Sequence, residues 1–134
     1  MPVLALRVAP LQNPEQYRAL AHALTRITAE VLHKDPDVTA VTIDDLPAAR
    51  WCVGGETVDR PAAQLEITIT AGTNTAEEKA AFIQTAFSEL QRQLGRGEPL
   101  EPASYVIVRE VPASDWGWGG LTQQARRAQR LTPA

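Results

Sequence analysis

Residues 38–55 read VTAVTIDDLPAARWCVGG, and residues 103–120 read ASYVIVREVPASDWGWGG. The two stretches align without gaps at an offset of 65 residues. Val41/Val106, Pro47/Pro112, Ala48/Ala113, Trp51/Trp116, Gly54/Gly119 and Gly55/Gly120 are identical, while Ile43/Val108, Leu46/Val111 and Asp45/Glu110 are conservative. A rare tryptophan at a fixed distance after a shared proline and before a shared Gly-Gly marks an internal repeat, and a repeat changes the reading of everything around it.

The residues upstream of each copy also correspond. Leu4, Leu6 and Val8 alternate with Val3, Ala5 and Arg7, and Leu65, Ile67 and Ile69 alternate with Glu66, Thr68 and Thr70. Alternation of period two predicts a strand opening each unit. Two helix starts follow. Asn13-Pro14-Glu15-Gln16 supplies a cap residue and a proline at the first helical position, and Thr75-Ala76-Glu77-Glu78 reads as a capping box. Leu20, Leu24, Ile27 and Val31 predict one apolar stripe, and Ile83, Phe87, Leu90 and Leu94 the other. Breakers at Asp35-Pro36 and Gly95-Arg96-Gly97 end the helices.

The unit is therefore strand, helix, strand and a Trp/Gly-Gly turn, used twice. The expected class is α/β: two tandem β-α-β units, about residues 2–58 and 62–120, in one four-stranded sheet with two helices on one face. Residues 121–134 form a C-terminal tail, and the whole 134-residue chain is one domain. A β-α-β unit of this length gives parallel strands joined by a right-handed crossover. Helices cover only one sheet face, yet Tyr105 and Ile107 put bulk on the other, so a second copy of the chain is expected to cover it.

Composition narrows the function. The sequence is 44% hydrophobic and 22% charged, which is ordinary for a globular protein. Thirteen Lys and Arg against sixteen Asp and Glu give a net charge of −3, which argues against nucleic acid as a partner. No apolar run reaches the ~20 residues of a membrane helix, and the start Met-Pro-Val-Leu-Ala-Leu-Arg lacks the parts of a secretory signal. Cys52 is the single cysteine, so a reducing cytoplasm is the expected compartment. There is no Cys/His cluster with metal spacing, and no metal or cofactor is expected.

Pro2 is the residue with the sharpest chemical meaning. An initiator methionine before a small residue is normally trimmed, and the chain then begins with a secondary amine. A free α-amine starts near a pKa of about 7.7–8.0, and apolar burial or a nearby cation lowers it toward neutrality. A base poised there suits proton abstraction beside a carbonyl.

Met-Pro, an alternating strand, a capped helix, a second strand and a Trp-x-x-Gly-Gly ending together resemble the tautomerase superfamily. The nearest likeness is to 4-oxalocrotonate tautomerase, with two such units fused over about residues 2–120. The resemblance implies a trimer of fused chains, no cofactor and Pro2 as catalytic base. It also implies that an aromatic residue ahead of the Gly-Gly caps the site, which here is Trp116 in the second unit and Trp51 in the first. The arginine that the family carries at the end of the first loop is Gln12 here, and Thr73 or Asn74 in the second unit. A second family arginine aligns with Ala40 and Tyr105. The resemblance therefore carries no diacid substrate over.

Other anion-binding groups are available. Arg109 lies four residues after Tyr105 on the same strand face, so a guanidinium and a phenol could hold a carboxylate and an enolate oxygen; the alternative is a solvated charge paired with Asp44 or Glu110. Arg7 is expected on the face opposite Leu4 and Leu6. Arg50 and Arg60 fall in turns. His22 and His33 lie off the first helical stripe and read as surface. The second unit has Ala63 or Gln64 where the first has Pro2, so it serves as scaffold. Trp118 reads as site wall or interface, Cys52 as a small buried filler, and the basic tail as a helix, an arm over a neighbour or a frayed end.

The expected activity is enol–keto tautomerisation of a small unsaturated 2-hydroxy or 2-keto acid. Hydration, dehalogenation or decarboxylation of such an acid by a cationic Pro2, with Asp44, Asp45 or Glu110 activating water, is the alternative on the same scaffold. A non-catalytic trimeric binding protein is the third.

Overall fold

The computed structural model describes residues 1–131. Strand β1 (Val3–Ala9) leads to helix α1 (Pro14–Leu32) and strand β2 (Ala40–Asp45). A small hairpin, β3 (Cys52–Val53) and β4 (Glu56–Thr57), closes the first unit. The second repeats the plan with β5 (Ala62–Thr70), α2 (Ala76–Leu90), β6 (Tyr105–Val111) and the hairpin β7 (Gly117–Trp118) and β8 (Leu121–Thr122), and helix α3 (Gln123–Leu131) follows.

The main sheet has the order β2-β1-β5-β6. Each unit pairs its own strands in parallel, Leu4 with Val41 and Leu65 with Val106, and the units meet through antiparallel β1 and β5, where Leu6 faces Leu65. The two-unit sheet expected from the repeat is the one observed. The register also fixes the second unit's counterpart of Pro2. Leu65 matches Leu4, so Ala63 matches Pro2, and its N–H donates to Ser104 Oγ at 3.1 Å as an ordinary amide.

Local chemistry set these elements. Asn13 Oδ1 accepts from Gln16 N at 2.8 Å, and Pro14 occupies the first turn of α1. Thr75 and Glu78 form both halves of the capping box of α2, at 3.1 and 2.8 Å. The Gly-Gly pairs take the left-handed conformation that two-residue hairpins require, with φ of 60° and 80° at Gly54 and Gly55 and 60° and 84° at Gly119 and Gly120.

Leu4, Leu6 and Val8 from β1 and Leu65, Ile67 and Ile69 from β5 meet Leu20, Leu24 and Ile27 from α1 in one core. The contribution of α2 differs from the expected stripe. Phe82, Ala86 and Leu90 are buried, whereas Ile83 is 40% exposed and Phe87 only half-buried. In α1 the last core position is Leu32, with Val31 half-buried. Cys52 is exposed, not the buried filler expected, because it lies on a two-residue hairpin outside the sheet. Gly117, its counterpart, cannot vary so freely: a Cβ there would lie 1.9 Å from the Leu121 carbonyl oxygen.

The sheet face away from the helices is open. Arg7 faces Asp44 in register, and Arg109 pairs with Glu66 Oε1 at 2.5 Å, not with Asp44 or Glu110. Glu110 instead holds Lys79 at 2.5 Å. No helix among the described residues is long and apolar enough to cross a membrane. Among them, too, no group of three His, Cys, Asp or Glu side chains gathers as metal ligands would.

Candidate active site

Pro2 is buried at the head of β1, and its carbonyl accepts from Ala40 N at 3.3 Å. Met1 precedes it with its amine in a cleft of about 300 Å³, the small end of the range for ligand sites. Lys34 and Asp35, from the turn after α1, form one side. Thr70 and Thr73, at the end of β5, form another, and Trp118, Gln123, Arg127 and Arg130 close over it.

The electrostatics follow from burial and charge. The Met1 amine is held below its ordinary pKa by burial, with Lys34 and Arg130 pushing the same way and Asp35 opposing. Burial also lowers the pKa of Lys34, and Arg127 adds to that against the pull of Glu78. Lys34 Nζ donates to Thr73 Oγ1 at 2.9 Å. His33 ends α1 in the left-handed conformation and stands 3.3 Å from Glu78 Oε2 at the rim.

The second hairpin and α3 form the lid of this cleft. Gln123 N donates to the Trp116 carbonyl at 2.9 Å, as Val58 N does to Trp51 in the first unit at 3.0 Å. The repeat is therefore preserved in the backbone, but a polar Gln123 replaces Val58. Its Nε2 reaches the Met1 carbonyl at 3.3 Å. The basic tail is thus a helix laid over the chain's own N-terminus through residue 131; residues 132–134 lie outside those described.

The residues singled out in the sequence are distributed unevenly. Pro2 is buried directly behind Met1, which lines the cleft. Trp116 stands behind it, its indole N–H donating to Thr70 Oγ1 at 3.2 Å, while Trp118 lines it. Tyr105 and Arg109 lie on the open sheet face, and Tyr105 is 59% exposed at the sheet end opposite Val3. They do not join Pro2 within one chain. Asp45 is tied up by Gln12 N at 2.7 Å and by the Tyr17 hydroxyl, and lies with Asp44 at the far end of β2. Arg50 is exposed, and Arg60 stands 3.9 Å from Asp59. Lys34, Asp35, Gln123, Arg127 and Arg130 were not legible as site residues. The one signal for the last two was a basic tail following the hairpin.

Comparison with known proteins agrees with this architecture. Residues 2–60 match the family model described as Tautomerase enzyme. A search of curated proteins returns no match. Among solved structures, a fused 4-OT that forms a symmetric trimer superposes with a TM-score of 0.80 at 24% identity, over 92% of this chain and 98% of that one. A protein solved in the form inactivated by 2-oxo-3-pentynoate, Pt0534, gives 0.77 at 18% identity over 92% and 98%. A macrophage migration inhibitory factor-like protein from Entamoeba histolytica gives 0.73 at 17% identity over 90% and 97%. With its N-terminal unit matched by the family model described as Tautomerase enzyme and its two-unit sheet shared with the fused structures, the chain has the fold of the fused 4-OT structures.

Proposed function

We propose that the protein is a cofactor-independent enol–keto tautomerase acting on a small unsaturated 2-hydroxy or 2-keto acid. Its general base is the secondary amine of Pro2, freed by removal of Met1. The observation that carries this reading is the buried position of Pro2 directly behind Met1, which lines a small cleft together with Lys34, Arg127 and Arg130. The surroundings that hold the Met1 amine down, burial first and then Lys34 and Arg130, would surround the prolyl amine in the trimmed chain.

In the reaction, neutral Pro2 takes the proton from the 2-hydroxyl group. The electron pair of that O–H bond forms the carbonyl, and the conjugated chain passes a pair to a distal carbon. The prolinium returns its proton there, so atoms and charge balance with no co-reactant. Trp118 gives the cleft an apolar wall, and Trp116 supports it from behind through Thr70. Tyr105 and Arg109 would enter a site only across a boundary between copies. The open sheet face is a suitable boundary, and the trimers of the fused 4-OT structures support a homotrimer. A free, exposed Cys52 suits a reducing cytoplasm.

The test is covalent. Intact mass should show loss of Met1, and 2-oxo-3-pentynoate, which inactivates a structural neighbour, should add once per chain at Pro2. A retained Met1 with turnover intact would refute the base, and trimmed protein with no turnover of any 2-hydroxy acid would favour a binding role.

The pH profile separates the two catalytic readings. A base must be neutral, and its pKa is lowered, so activity should rise with pH through a midpoint below that of an ordinary prolyl amine. Lys34, Asp35 and His33 beside α1 and Arg127 and Arg130 on α3 face the cleft; burial lowers the midpoint first, Lys34 and Arg130 add to that, and Asp35 opposes. Hydratase-like chemistry by a cationic Pro2 predicts the opposite slope. Asp35 is then the only lining carboxylate among the described residues able to activate water.

A further inference from the structure

Helix α3 presents two different faces. Arg126 is spent on packing: its guanidinium lies 3.5 Å from the centre of the Trp118 ring and donates to the Trp118 carbonyl at 2.9 and 3.2 Å. Gln123, Arg127 and Arg130 recur at the spacing of one helical stripe, and that stripe faces the cleft. The helix is fixed at its start by Gln123 N to Trp116 and by Gln124 N to the Ala113 carbonyl at 3.0 Å. The two arginines are therefore carried by an anchored element and not by a loose tail.

Across the cleft, Lys34 comes from a different element, positioned by Thr73. Among the described residues none of these three cations forms an ion pair. Asp35 is the one lining carboxylate among them, so the cleft holds a surplus of positive charge in a chain whose net charge is −3. Cations gathered from two elements around a small cavity, with few carboxylates to neutralise them, suit a compact anion.

We propose that Arg127 and Arg130 of α3, with Lys34 opposite, form a clamp for the carboxylate of the substrate, so that the C-terminal helix determines specificity for acids. The proposal deepens the tautomerase reading and rests on it for the identity of the anion. Arg126 and Trp118 act as positioning residues that hold the helix over the amine. Specificity for the charged substrate is then a property of a segment that lies beyond both repeats.

The test compares two electrophiles on the full-length protein: 2-oxo-3-pentynoate, which carries a carboxylate, and 3-pentyn-2-one, which carries none. Arg127→Gln/Arg130→Gln and Lys34→Gln should each raise the KI for the keto acid about tenfold or more, as expected for the loss of a charge-assisted hydrogen bond. Measured at a pH where Pro2 is neutral in every form, the maximal inactivation rate, and the whole reaction with the uncharged ketone, should change far less than that KI. Arg127→Lys/Arg130→Lys should recover much of the loss, because charge is restored. Equal slowing with both reagents would mean a structural role and would overturn the clamp, as would no change with either.

Binding of malonate by calorimetry keeps the clamp testable apart from the base. Malonate should bind the parent protein about tenfold more tightly than either neutral variant. If Pro2 takes up no electrophile but malonate still discriminates, the base reading fails and the clamp stands. If malonate binds all forms equally, or none, the clamp is refuted whatever happens at Pro2.

Discussion

Replacing Pro2 by alanine should cut kcat by a factor of about 10²–10⁴, the usual contribution of a positioned general base, with little change in KM. The variant still loses its initiator methionine, so it presents a primary amine at the same place. What it lacks is the ring, which fixes the direction of the nitrogen, and the higher basicity of a secondary amine. The fold should be unaffected. Proline has no N–H to lose, and the hydrogen bond that Pro2 does make, from Ala40 N to its carbonyl, is a backbone bond that alanine keeps. A second form of the protein, extended by a Gly-Ser ahead of Met1, leaves the Pro2 nitrogen as an amide, and its activity should fall to background. Steady-state kinetics with a 2-hydroxydienoate, and the stoichiometry of labelling, measure both. KM should hold because the carboxylate is gripped elsewhere, so a variant that loses KM and not kcat would make Pro2 part of the binding surface and not the base.

Much of this architecture was legible in the sequence because it is written in local physics. Alternation at Leu4/Leu6/Val8 and Leu65/Ile67/Ile69 sets which strand face is buried, and the structure buries those six. Asn13 and Thr75 start their helices through hydrogen bonds that span only three residues. The Gly-Gly pairs specify a hairpin by their φ values alone. Because the copies repeat all these signals, each is legible twice, whereas the antiparallel register between the units is visible only in the structure.

The cleft was legible only in part, because its charge comes from residues distant in sequence. Pro2 and Gln123 are joined through the Met1 carbonyl, across nearly the whole chain. Nothing near Lys34 in sequence indicates that α3 will lie over it. Arg126, Arg127 and Arg130 look alike in a basic tail, and what separates them is where Trp118 stands. Tyr105 and Arg109 show the converse. Their spacing on one strand face was read correctly, but the face is the open one, and Glu66 takes the guanidinium. Sharing a face brings two side chains together without saying what else is there.

The face of α2 gives the sharpest stability prediction. Phe82→Ala should destabilise the protein by about 3–5 kcal/mol, the range for deleting a buried phenylalanine, whereas Ile83→Ala should cost under about 1 kcal/mol. Adjacent residues on a helix point roughly a quarter-turn apart, and the sequence stripe of Ile83, Phe87, Leu90 and Leu94 favoured the wrong one of the pair. In the structure Phe82 is fully buried among the strand residues and Ile83 is 40% exposed. Leu90 belongs to both stripes, and beyond it residues 91–95 form a π-helical turn. The wider turn changes the helix phase locally, so that Leu94 and Gly95 are both buried. A regular 3.6-residue pattern drawn through Leu94 therefore points back to the wrong side of the first turns. Urea unfolding at matched protein concentration measures the two costs, and concentration must be held fixed because association adds to apparent stability. Equal costs, or a larger cost at Ile83, would mean that assembly buries the outer face of α2. Since neither residue lines the cleft, the fraction of Phe82→Ala protein that folds should still take up the electrophile at Pro2 at the parent rate. That result would separate the core, which holds the two units together, from the helix and hairpin that complete the site.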